Sequence, residues 1–146
     1  MSASNEPVAD QIIRHVTLDA SRTILQVLEN TCLLVLVDDG ITDSMPPPRD
    51  GEVDVVFFRT NVVVDDPKFA DEYARHGLIP ADPFSVAAVN EVDPTFATRH
   101  RNGTLWRNAD GQLCYLKFSG KGRVNLRRYK FHRDWTTNLW VAGIKP

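Results

Sequence analysis

The chain has 146 residues, a formal net charge of −2 and an apolar fraction of 42%, which suits one globular domain and excludes wholesale disorder. Near neutrality hides a split at about Thr98. Six cations stand among 17 carboxylates before Arg99, and eleven cations stand against only Asp110 and Asp134 from there on. With a pI near 6.0 there is no general attraction to a polyanion, so only a segregated basic patch could engage one.

Met1 to Asn5 read as a frayed terminus. From Pro7 to His15, the apolar residues Val8, Ile12, Ile13 and Val16 have helical spacing, with Pro7 suited to a first turn. Asp19 or Ser21 can cap a second helix carrying Ile24, Leu25 and Leu28 on one stripe. The run Cys32 to Val37, closed by Asp38-Asp39-Gly40, predicts a strand buried on both faces, unless it ends the preceding helix. Met45 to Gly51 holds three prolines and is a loop. Val53 to Phe58 and Val62 to Val64 are β-rich runs that fit one bent strand or a hairpin. Pro67 opens a helix through His76 that Gly77 ends, and Asp82-Pro83 starts another through about Asn90. Asp93-Pro94 repeats the device for one short turn near Thr98.

Beyond that point the helical signals stop. Leu105–Arg107 and Gln112–Phe118 flank Asn108-Ala109-Asp110-Gly111, a hairpin signature. Ser119 to Gly122 make a second turn before a strand from Arg123 to about His132, and a last strand, Thr137 to Ala142, completes the meander. Helices and short mixed strands followed by a C-terminal antiparallel β-meander predict an α+β fold in a single compact domain. Residues 6–98 form its acidic part and residues 99–146 its basic part.

The basic part holds all three tryptophans, Trp106, Trp135 and Trp140, each expected in the core. Its strongest candidate surface comprises Arg123, Arg127, Arg128, Tyr129, Lys130, Phe131 and Arg133. Cations on such a strand can follow phosphates while rings stack on bases. Side chains alternate faces along a strand. A regular register therefore puts Tyr129 and Phe131 among the cations beside Arg127. A bulge at Arg127-Arg128 would instead send both rings to the core side of Leu126.

Catalytic signals are sparse. His132-Arg133-Asp134 holds a histidine near a carboxylate, but neighbours two apart pair only in certain geometries. GxSxG, Walker-type and GxGxxG sequences are absent. Asp38, Asp39, Asp43, Glu52, Asp54, Asp65 and Asp66 stand several at the ends of apolar runs, where carboxylates can hold Mg²⁺ with a substrate phosphate, but Asp-Asp before Gly or Pro is ordinary turn chemistry, and no metal or cofactor is expected. Cys32 and Cys114, far apart, read as free thiols.

The sequence thus predicts a small non-enzymatic binding or regulatory protein whose basic aromatic sheet engages nucleic acid, a nucleic-acid-handling complex or another acidic surface. Two alternatives stand beside it. One is an interaction or inhibitor module that docks a basic protein through the acidic part, at Asp38, Asp39, Asp65 and Asp66. The other is a metal-dependent hydrolase or nuclease. The longest apolar run is six residues, so no membrane partner is expected. Glu6 and Asp10 stand where an export signal needs positive charge, so the expected location is cytoplasmic.

Overall fold

The computed structural model of the chain describes residues 10–31, 33–49 and 51–146. The elements are β1 (Ile12–Leu18), α1 (Ile24–Glu29), β2 (Leu34–Val37), β3 (Gly51–Phe58), α2 (Phe69–Arg75), β4 (Ile79–Pro80), α3 (Pro83–Val92) and α4 (Phe96–Arg99), then β5 (Asn102–Arg107), β6 (Leu113–Phe118), β7 (Arg123–Arg128) and β8 (Trp140–Ile144). The strands join in one mixed sheet of order β1-β3-β8-β5-β6-β7-β2, with β4 also on β8. The fold is α+β, and β5-β6-β7 form the C-terminal meander.

Both faces of this sheet are covered. One packs Ile24, Val27 and Leu28 of α1, Val86 and Val89 of α3, and Phe96 of α4 against Val55, Phe57, Leu116 and Leu126. The other packs Phe69 and Tyr73 of α2, with Trp135 and Leu139, against Val56, Phe58, Leu105 and Tyr115. Alternation along β3 therefore buries Val55 and Phe57 on one side and Val56 and Phe58 on the other.

Local chemistry accounts for the helix ends. The Asp82 carboxylate caps α3, accepting the Ser85 backbone N–H at 3.0 Å and the Ser85 hydroxyl at 2.7 Å. Gly77, at φ +70°, closes the chain after α2, a conformation that costs glycine little. Within the core, Asn90 of α3 and Asn102 of β5 exchange amide hydrogen bonds of 2.9 and 3.1 Å, so these buried polar groups are satisfied.

Several expectations need correcting. The segment expected as a Pro7–His15 helix is strand β1 over its described part; Pro7 and Val8, like Met1 to Asn5, lie outside the described residues. Its β-branched residues favour a strand, Ile12, Val16 and Leu18 alternate onto the inner side, and all seven positions pair with β3. The α1 cap is Thr23, in a reciprocal capping box with Gln26, and Val27 faces the core where Leu25 was expected. β2 is not buried on both faces. It lies at the end of the sheet with one neighbour, β7, and leaves Leu34 58% exposed. Val62 to Val64 form neither strand nor hairpin, because no partner strand runs beside them; Val64 is buried as a turn residue.

β7 ends at Arg128, short of His132. β8 does not extend the meander: it lies antiparallel to β3 and parallel to β5. The charge boundary therefore does not divide the fold. Basic-part β8 lies between β3 and β5, and acidic-part β2 flanks β7. All three tryptophans are buried. Cys114 is a buried free thiol raised above its ordinary pKa by burial, and Cys32 lies outside the described residues. No described helix is long and apolar enough to cross a membrane.

Two histidines make the fold sensitive to acid. His76 stacks on Phe58 at 4.1 Å, and His100 lies 5.3 Å from Phe96 and 5.4 Å from Trp140. Burial, then neighbouring arginines, lower both below the ordinary histidine value. A lowered folded pKa contributes stability above the unfolded value of about 6.5 and loses it as pH falls through the folded value. His15, raised first by the Asp54 hydrogen bond and then by Glu52, acts in the opposite sense but is fully exposed. The melting temperature is expected to fall between about pH 7.5 and about pH 5.5, and less so in His100→Gln. A rise over that interval in the parent protein would contradict this assignment.

Candidate nucleic-acid interface

The candidate surface forms where β7 leaves the sheet. Pairing with β6 stays regular through Cys114 opposite Arg128, and the Tyr129 N–H continues it to the Leu113 carbonyl at 2.8 Å. There is no bulge at Arg127-Arg128. Val124 and Leu126 consequently face one core, while Arg123, Asn125, Arg127 and Tyr129 take the other face.

Neither expected register describes both rings. Tyr129 shares the face of Arg127, but it is half-buried against the second core rather than presented as a platform. Phe131 lies beyond the strand and is 56% exposed. What holds it outward is Asp134, one of whose carboxylate oxygens accepts the N–H groups of both Lys130 and Phe131 at 2.9 Å. Trp135 anchors the turn in the core, and the Lys117 ammonium donates to the Asp134 carbonyl at 2.6 Å.

This corner encloses a pocket of about 300 Å³ lined by Tyr115, Arg127, Arg128, Lys130, Phe131, Arg133 and Asp134. Five of the seven predicted residues therefore meet at one place. The guanidinium of Arg133 lies 4.9 Å from the centre of the Phe131 ring. Arg123, at the opposite end of β7, stands about 14 Å along the strand from Arg127 and is not part of the pocket. Tyr129 is not among the lining residues either.

The acidic part reaches this corner. Asp38, just after β2, takes Arg127 at 3.2 Å and the Arg128 N–H at 2.9 Å, while the Asp39 carbonyl accepts the Arg128 guanidinium at 2.8 Å. Burial acts to raise Asp38, but these donors outweigh it and hold the carboxyl below its ordinary pKa. Arg127 is thus partly neutralised and Arg128 is held by a backbone carbonyl, whereas Lys130 and Arg133 are exposed and have no carboxylate within ion-pair distance among the described residues. The pair of Asp38 with Arg127, 89 residues apart, left no local signal in the sequence.

Other candidates disperse. His132 faces Asp65 at 3.7 Å and the Tyr129 hydroxyl at 3.4 Å, and Asp134 is committed to backbone, so the two do not form an acid–base pair. Glu52 and Asp54 bracket His15 on the outside of β1 and β3. Asp66 caps a turn at the Lys68 N–H, and Asp38 is turned to Arg127. Among the described residues no cluster of His, Cys, Asp or Glu is suited to hold a metal ion. No protein-family model, curated protein or solved structure matches the chain.

Proposed function

We propose that this is a cytoplasmic binding protein that holds single-stranded nucleic acid at the corner after β7. One observation carries the reading: an exposed aromatic ring, Phe131, is pinned outward by backbone hydrogen bonds and flanked by Lys130 and Arg133. A base can stack on such a ring, a contact worth about 1–3 kcal/mol, while the cations follow the adjoining phosphates. Arg127 and Arg128 supply further positive charge deeper in the pocket, and Arg123 extends the track along β7.

Binding is expected to weaken steeply with salt. For about three phosphate contacts, raising salt from about 50 to about 200 mM should reduce affinity for a single strand about 20-fold. Fluorescence anisotropy with a labelled single-stranded oligonucleotide measures this directly. Phe131→Ala should cost on the order of 10-fold at either salt concentration and leave the salt slope unchanged. Absence of binding at low salt would remove the proposal.

A further inference from the structure

The pocket beside Phe131 has one wall contributed by a residue outside the basic cluster. Tyr115 of β6 stands directly opposite Arg127 of β7, so the two side chains take the same face of the sheet. Tyr115 is 3% exposed and lines the pocket, and its hydroxyl makes no hydrogen bond among the described residues. Unlike the Tyr73 hydroxyl, it is not sealed from solvent. Burial, with Asp134 nearby, pushes its ionisation up to about 12, so it is a protonated donor at neutral pH. Polar groups in buried walls are almost always paired, so a donor left open to a pocket marks a place for a ligand atom.

The rest of the lining supplies positive charge. Arg127 donates its Nε to Asp38, and its two terminal nitrogens have no partner among the described residues. Lys130 and Arg133 stand exposed beside it. The carboxylate in the lining, Asp134, gives one oxygen to the Lys130 and Phe131 N–H groups. Cations therefore outnumber it, even with Asp38 set against Arg127. The volume of about 300 Å³ stands at the lower end of the range that holds small ligands, roughly 300–1,000 Å³.

We propose that this pocket seats a terminal phosphomonoester of the bound strand, an inference that rests on the single-strand reading above. The Tyr115 hydroxyl and the Arg127 guanidinium donate to its oxygens, and the terminal base stacks on Phe131. A phosphate within a strand carries one negative charge, offers two free oxygens and has a nucleotide on each side. A terminal phosphate carries about 1.5 to 2 charges and three strong acceptor oxygens, and it can meet a buried wall end-on. Tyr115, Arg127, Lys130 and Arg133 bring more donors to one place than the two free oxygens of an internal phosphate can use.

The test compares three internally labelled versions of one single-stranded oligonucleotide by anisotropy: without a terminal phosphate, with a 5′-phosphate and with a 3′-phosphate. One phosphorylated strand should bind at least about 10-fold tighter than the unphosphorylated one, and the end that gains is the end that enters the pocket. Tyr115→Phe keeps the ring and removes only the unpaired hydroxyl. The variant should fold as the parent does, and the preference should fall about 10-fold, the loss expected for one hydrogen bond to a charged group. Arg127→Gln should lower the preference as well. A gain under about threefold at both ends, or one undiminished in Tyr115→Phe, would overturn the proposal and leave the single-strand reading in place. Failure of all three strands to bind at low salt would remove that reading, and this inference with it.

Discussion

Gly103→Ala is expected to destabilise the protein by about 3 kcal/mol, the upper end of the usual cost of overpacking. Gly103 lies inside β5, paired with Lys117 of β6 on one side and Val141 of β8 on the other. A Cβ there would run into the backbone oxygen of Leu116 and lie 2.9 Å from the Trp135 ring. The first obstacle is main chain held in a ladder, so it cannot swing aside as a flexible side chain would. Relief requires parting β5 from β6 or lifting Trp135 from its seat.

The consequences reach the candidate site. Trp135 follows directly on the turn that holds Phe131 outward, so displacing the indole loosens the Asp134 hydrogen bonds at Lys130 and Phe131. Urea denaturation should show a large drop in midpoint, and the remaining folded protein should bind oligonucleotide more weakly. A midpoint equal to the parent's would show that the sheet accommodates a methyl group there.

The second large effect is electrostatic. Lys130→Glu combined with Arg133→Glu is expected to reduce affinity for single-stranded oligonucleotide on the order of 100-fold at low salt. Each reversal replaces an attraction with a repulsion, each worth about 1 kcal/mol at 4 Å in water before screening. Both side chains are exposed, so stability should change little. Asp38→Asn should act in the opposite direction. The amide oxygen can still accept the Arg128 N–H, but the charge that offsets Arg127 is gone, and affinity should rise severalfold. Anisotropy titrations of both variants at one salt concentration give the comparison. Parent-like affinity in the double variant would move the interface elsewhere.

How much of this was legible depends on the range of the signal. Asp82-Pro83, Gly77 and the Asn108–Gly111 turn act on residues within about four positions, and the elements they predict are present. The alternation in β7 was legible for the same reason, and it placed Val124 and Leu126 in the core. β1 was misread because Ile12, Ile13 and Val16 fit a helical stripe while Ile12, Val16 and Leu18 fit an alternating one, over so short a run. Only pairing with β3, 39 residues away at His15 and Asp54, separates the two. Val62 to Val64 carry strand propensity without a strand to pair with.

The candidate site divides along the same line. Its residue types, four cations and the rings of Tyr129 and Phe131 within Arg127 to Arg133, stand in the chain as a cluster. Whether they face outward did not. The regular register with β6 excluded the bulge, Asp134 turned Phe131 to solvent, and Asp38 partly neutralised Arg127.

The sequence by itself determined the charge imbalance about Thr98 and the change there from mixed helical elements to paired strands, since composition and nearest-neighbour chemistry suffice for both. Only the tertiary structure decided that acidic and basic parts interleave in one sheet, with β8 beside β3 and β2 beside β7. Strand pairing joins residues by hydrogen-bond geometry and burial irrespective of their separation along the chain, so no local pattern encodes it.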